Sequence, residues 1–191
     1  LSDKGGIHRS DDGGKTWSDD VTVARSDRFQ LCEASILPLG GGVLAAFLRE
    51  NSGLGYDCKK VLSRDNGESW GEITDFPLPG CHRPVAGFLR DGRIMITYRF
   101  LQGGRGWLGS WCQNFFAALT DRESVLSEKR EEASTRILPV DFDHSPKSDL
   151  GYSGWVQFPD GELYIVNYIV DDAMDKGQIR GYSMFPDEYL L

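Results

Sequence analysis

Residues 10–17 read SDDGGKTW and residues 63–70 read SRDNGESW. The pattern Ser-x-Asp-x-Gly-x-x-Trp is written twice, 53 residues apart. In each copy Asp and Gly suit a tight turn, one through side-chain bonding to nearby amides and the other through positive φ, while Trp supplies a large apolar anchor. Four matched positions in both copies mark an internal repeat. A repeat at this interval restricts the chain to architectures that stack like units.

A larger repeat surrounds the small one. Three segments align when their turn glycines are superposed: CEASILPLGGGVLAAFLR (32–49), CHRPVAGFLRDGRIMITYR (81–99) and GYSGWVQFPDGELYIVNY (151–168). Each is an apolar run, a turn holding Gly42, Asp91-Gly92 or Asp160-Gly161, and a second apolar run, which predicts a buried β-hairpin of strands a and b. A third strand c follows in KKVLS (59–63) and NFFAALT (114–120), and the latter runs into Thr120–Ser124, a decayed copy of the opening motif. The intact motif Ser63–Trp70 lies between strands c and d. Helical periodicity is nearly absent, so DRESVLSEKREEAS (121–134) is expected as a solvated loop plus strand edge.

Four antiparallel strands per unit, repeating every roughly 50 to 70 residues, is the period of a β-propeller blade. The expected fold is all-β, a propeller of four-stranded antiparallel blades, six-bladed when complete. Residues 1–191 form one partial domain of about three and a half blades, opening on a strand c (GIHRS), with the N-terminal blades upstream. Trp17 and Trp70 are expected between strands, and both motifs on the face away from the pocket.

Composition excludes several partners. A formal charge of −8 argues against nucleic acid, whose binding rests on clustered Lys and Arg. No apolar run reaches membrane-spanning length, so no membrane span is expected. Cys32, Cys58, Cys81 and Cys112 form no CxxC pair, and His8, His82 and His144 are scattered. No metal and no cofactor are therefore expected. Open sheet edges would invite association.

The strand order shows which residues share a rim. Strand a starts at one face, b returns to it and c leaves it again. The a-starts are Glu33, His82-Arg83 and Tyr152; the b-ends are Arg49, Arg99 and Tyr168; the b-to-c loops are 51–57 and 103–111, the second holding Arg105. Taken singly, Arg83, Arg99 and Tyr168 read as edge charges and a core phenol. Glu33, Arg49, Arg105 and Tyr152 together are not so readily explained as edge charges and core.

The paired octapeptides resemble the Asp-box, or bacterial neuraminidase repeat, of the sialidase superfamily, and at blade level the resemblance covers essentially the whole chain. It implies an arginine triad that grips a carboxylate, a Tyr nucleophile, a Glu that serves as its base, and a separate Asp acid/base. Glu33 opens a strand a as the family's Glu does, Arg49 ends the next strand b as the second triad Arg does, Arg105 resembles the third, and Tyr152 resembles the nucleophile. His82, Arg83 and Arg99 are added as substrate-binding candidates, although His82–Pro84 is no part of the family pattern. The loop from Arg105 to Tyr152 is also longer than the family's. The first triad Arg and the acid/base Asp are expected upstream of residue 1, Asp3 being a poor stand-in, so the isolated chain is expected to be inactive.

The residue types suit this chemistry. An anomeric centre bearing a carboxylate repels a carboxylate nucleophile, which favours a neutral phenol activated by a base. A guanidinium fork suits the substrate's carboxylate. The resemblance thus implies a retaining hydrolase that removes terminal sialic acid or a related acidic sugar from glycoconjugates. Two alternatives stand beside it: a propeller glycosidase whose pocket is rebuilt for another sugar by His82–Pro84, Arg99 and Trp107, and a non-catalytic carbohydrate-binding propeller.

Overall fold

A computed structural model describes residues 4–52, 56–102, 112–173 and 176–185. Thirteen strands are described. β1 (Lys4–Ile7) and β2 (Val21–Arg25) pair alone; β3 (Leu31–Gly40), β4 (Val43–Glu50), β5 (Asp57–Ser63) and β6 (Thr74–Pro79) form a meander. A second meander joins β7 (Cys81–Phe88), β8 (Ile94–Gln102), β9 (Cys112–Thr120) and β10 (Arg136–Phe142), followed by a sheet of β11 (Leu150–Gln157), β12 (Leu163–Ile169) and β13 (Gln178–Met184). All pairings are antiparallel between sequence neighbours. These are consecutive blades of a partial, unclosed propeller, and the predicted hairpins fall on β3–β4, β7–β8 and β11–β12.

Period-two alternation explains why the sheets stack. Along β8, Ile94, Ile96 and Tyr98 enter the core shared with the β3–β6 sheet, whereas Met95 enters the core shared with β11 and β12. On β9, Ala118 faces the first core, and Phe115 and Ala117 face the second. A strand between two sheets is buried on both faces and so reads as a continuous apolar run. Phe47 and Phe115 are fully buried, and side chains of this kind contribute about 1.5–3 kcal/mol each by leaving water.

Specific polar contacts join the blades. The Ala86 amide donates to Ser35 Oγ (3.0 Å), and Trp155 Nε1 donates to the Val85 carbonyl (3.2 Å). Gly87 makes room for that indole, because a Cβ there would lie 2.7 Å from the Trp155 ring. Lys60, fully buried, donates Nζ to the carbonyls of Val125 (2.8 Å) and Ser127, tying β5 to the next blade.

The two octapeptides fold alike. Ser10 Oγ donates to Asp12 Oδ1 (2.9 Å) and accepts from the Gly14 amide (2.7 Å); Ser63 Oγ donates to Asp65 Oδ1 (2.8 Å) and accepts from the Gly67 amide (2.8 Å). Asp12 also accepts from the Thr16 amide and hydroxyl (2.9 and 2.7 Å), as Asp65 does from Ser69 (2.9 and 2.5 Å). Thr16 and Ser69 are thus a matched hydroxyl position that the sequence pattern left out. The Asn66 amide donates to the Gly42 carbonyl (2.7 Å), placing the second motif beside the β3–β4 turn, at the opposite end of the sheet from Glu33.

Two expectations are corrected. Trp17 is not buried but 63% exposed: its Nε1 donates to the Gly14 carbonyl (3.1 Å), and the two-stranded β1–β2 sheet provides no strand that covers the indole. Trp70 is half-buried against Ala24, Leu31, Leu48 and Val61. The stretch read as loop contains a one-turn helix α1 (Arg122–Leu126), because Asp121 caps it by accepting from the Ser124 amide (2.7 Å) and Val125 anchors it in the core.

Candidate active site

Each of three successive blades breaks its first strand at the same place. β3 slips register between Cys32 and Ser35, β7 between His82 and Val85, and β11 between Gly151 and Gly154. In every case two residues oppose one, a bulge that re-aims a side chain. The bulged residues Glu33, Arg83 and Tyr152 have φ of 44°, 53° and 55°. Non-glycine residues in this left-handed region cost of order 1–3 kcal/mol each, and such strain clusters at functional sites. The β4, β8 and β12 residues facing the bulges are Arg49 opposite Cys32, Arg99 opposite His82 and Tyr168 opposite Gly151.

The bulges bring their side chains together across 119 residues of sequence. Tyr152 Oη donates to Glu33 Oε1 at 2.5 Å. Arg49 Nη1 donates to the other carboxylate oxygen, Oε2, and Arg49 Nη2 to Asn51 Oδ1 (2.7 Å). The Arg83 guanidinium lies over the Tyr152 ring at 4.8 Å from its centroid, and Tyr168 stacks on that ring at 6.1 Å. Tyr152 is half exposed and the Glu33 side chain about a quarter exposed, so the pair lies at the surface of the rim.

Arg99 and His82 sit behind this group, 7% and 6% exposed. Arg99 Nη1 donates to the Leu150 carbonyl (3.0 Å) and lies 3.7 Å from Asp149, which accepts the Tyr168 hydroxyl at 2.7 Å. Asp149 was not singled out from the sequence; its one signal is its place three residues before Tyr152. Burial, reinforced by Arg49 and Arg99, lowers the pKa of His82 to about 3, so its imidazole is neutral at physiological pH. Arg105 and Trp107 lie outside the described residues, as does Asp3.

Electrostatics set the proton's resting place. Burial pushes the Glu33 carboxyl up, but the hydrogen bonds from Tyr152 and Arg49, with the charges of Arg49 and Arg83, outweigh it and hold Glu33 below its usual range. The bond to Glu33, then burial, raises Tyr152 above an ordinary phenol. The resting pair is therefore a neutral phenol donating to an ionised carboxylate, a geometry suited to moving the phenolic proton onto Glu33 when the oxygen bonds to an electrophile.

One histidine does meet carboxylates. Ligand atoms of His144, Asp171 and Asp172 lie within 4.8 Å of one another. Asp171 already accepts from His144 Nδ1 (2.6 Å) and Arg180 Nη2 (2.8 Å), so an ion-pair network engages both its carboxylate oxygens.

No family model and no curated protein matches the chain. Among solved structures it is similar to a protein of unknown function from Dyadobacter fermentans DSM 18053, at 22% identity and TM-score 0.71 over 93% of this chain and 44% of that one. It is similar to the intramolecular trans-sialidase from Ruminococcus gnavus, solved with oseltamivir carboxylate, at 21% identity and TM-score 0.64 over 97% of this chain and 39% of that one. It is also similar to Penicillium chrysogenum alpha-L-arabinanase complexed with arabinobiose, at 16% identity and TM-score 0.57 over 91% of this chain and 53% of that one. The chain spans 39–53% of the length of these three structures.

Proposed function

We infer the reaction from the site, because the sialidase-like β-propeller fold is shared with glycosidases and a shared fold does not decide it. We propose that the chain carries half of a glycosidase site for sialic acid or a related acidic sugar, working with retention of configuration. The observation that carries this reading is the bond from Tyr152 Oη to Glu33 Oε1, with Arg49 on the remaining carboxylate oxygen. Tyr152 Oη attacks the anomeric carbon, Glu33 Oε1 takes the phenolic proton, and the glycosidic oxygen leaves with a proton from an acid elsewhere in the full-length protein. A water then attacks the same carbon, loses a proton to the acid's conjugate base, and the tyrosyl oxygen recovers its own from Glu33.

Arg49 is the carboxylate grip in this proposal. Each Nη carries a second hydrogen beyond the one given to Glu33 or Asn51, so the guanidinium can still donate a pair. Arg105 is proposed to share that role. Arg99 and His82, buried behind the pair, support the rim.

The test is hydrolysis of fluorogenic glycosides by the full-length protein. Release from a sialoside, abolished in Tyr152→Phe, supports the reading. Release from an arabinoside alone points to a propeller glycosidase of another specificity, and saturable sugar binding without turnover points to a carbohydrate-binding module.

A further inference from the structure

Among the described non-glycine residues with positive φ, Glu33, Arg83 and Tyr152 occupy the same bulge in three consecutive blades. Two of the three make the nucleophile–base contact, and the third is Arg83. Arg83 also precedes Pro84, and a residue before proline is pushed toward extended backbone. Its left-handed φ of 53° therefore opposes two local preferences at once. Strain of this kind persists where the surroundings over-determine it. What it achieves is to lay the guanidinium over the Tyr152 ring, 4.8 Å from the centroid, on a blade that supplies neither the phenol nor the carboxylate.

We propose that Arg83 is the positioning residue of the nucleophile–base pair: its guanidinium holds the Tyr152 ring against Glu33 and provides a fixed positive charge beside the Glu33 carboxylate. This rests on the reading of Tyr152 and Glu33 given above and replaces the substrate-gripping role expected for Arg83 from the sequence. The flat guanidinium can lie parallel to an aromatic face, adding planar stacking to the cation–π attraction that an ammonium also makes. The charge matters because a base must be ionised to accept a proton, and Arg83 is among the groups that hold Glu33 below its usual range.

Among the described residues, the groups facing Glu33 can be named element by element. Tyr152 comes from β11, Arg49 from β4, and Arg83 with neutral His82 from β7. The β1–β2 sheet contributes Gly5, Gly6, Ile7 and Val23 to the hollow beside Glu33, none of which titrates, and Cys32, on β3 in the same hollow, has its thiol pushed up by burial.

The experiment follows the Glu33 carboxyl by 13C NMR through an acid titration of the purified full-length protein, with Glu33→Gln assigning the signal. Arg83→Gln and Arg83→Met, two neutral variants that differ in polarity so that one can report if the other fails to fold, should move the Glu33 midpoint upward. Arg83→Lys should leave it near the wild-type position. A folded neutral variant whose midpoint stays at the wild-type pH overturns the charge role.

In the full-length protein Arg83→Met should lower kcat about tenfold, the size of a lost cation–π contact, with KM little changed and Arg83→Lys recovering part of the rate. A rise in KM at unchanged kcat overturns the positioning role and restores Arg83 to substrate binding. The two layers fail separately: turnover that survives Tyr152→Phe sinks the nucleophile reading, whereas the Glu33 titration judges Arg83 without any turnover.

Discussion

At one end of the sheets Ser63 and Asp65 accept amide hydrogens within their own turn, and Asn66 and Gly67 carry the positive φ that such turns use. At the other end Glu33, Arg83 and Tyr152 hold positive φ with none of that local help and meet partners from other blades. The turn end meets its Ser and Asp bonds within about four positions of sequence, with the Asn66 amide reaching out to Gly42; the rim overrides local preference. Local satisfaction stabilises, whereas strain maintained by remote packing aims chemistry, so the two ends should answer differently to mutation.

The largest expected effect is at the rim. Tyr152→Phe in the full-length protein should cut kcat by about a hundredfold or more, while the thermal midpoint stays put because the half-exposed ring keeps its stacking on Tyr168. A parallel loss of stability and activity would break the comparison, since the rim would then be carrying the fold.

At the turn end the effects should fall on stability. Trp70→Ala removes a half-buried indole from the cluster of Leu31, Leu48 and Val61 and should cost about 2 kcal/mol in chemical denaturation. Acid should expose the same end. Bonds led by the Thr16 and Ser69 side chains hold Asp12 and Asp65 near a pKa of about 2, below the unfolded value of 3.8. A depressed carboxylate stabilises the fold above the unfolded pKa and loses that contribution as pH falls through the folded one. Stability should therefore decline from about pH 4 to 2, and a double Asp12→Asn, Asp65→Asn variant should show a flatter acid limb. The smallest effect sharpens the contrast between the motif copies: Trp17→Ala, at a 63% exposed position, should change stability by no more than about 0.5 kcal/mol.

Much of this was legible in the chain. The hairpins, the blade period and the rim positions followed from alternation and turn residues, whose physics is confined to neighbours in sequence. The closeness of Tyr152 and Glu33 was legible only through a resemblance, since no spacing predicts a contact over 119 residues. The bulges left no trace in the pattern: a slip of one residue in β3, β7 or β11 does not alter the apolar runs around it. Helix α1 was missed because one turn is too short to show periodicity, although Asp121 was there to cap it.

The sequence by itself determined the Ser–Asp–Gly core of the two octapeptide turns, because its donors and acceptors lie inside the eight residues, and both copies form the same Ser, Asp and hydroxyl bonds. Only the tertiary structure decided what each copy's tryptophan meets: Trp70 lies against neighbouring strands that Trp17 lacks among the described residues. It also decided where the bulged side chains point. Arg83 before a proline would be extended if its neighbours in sequence had the only say; the packing of three blades around it holds it at positive φ and turns it onto Tyr152.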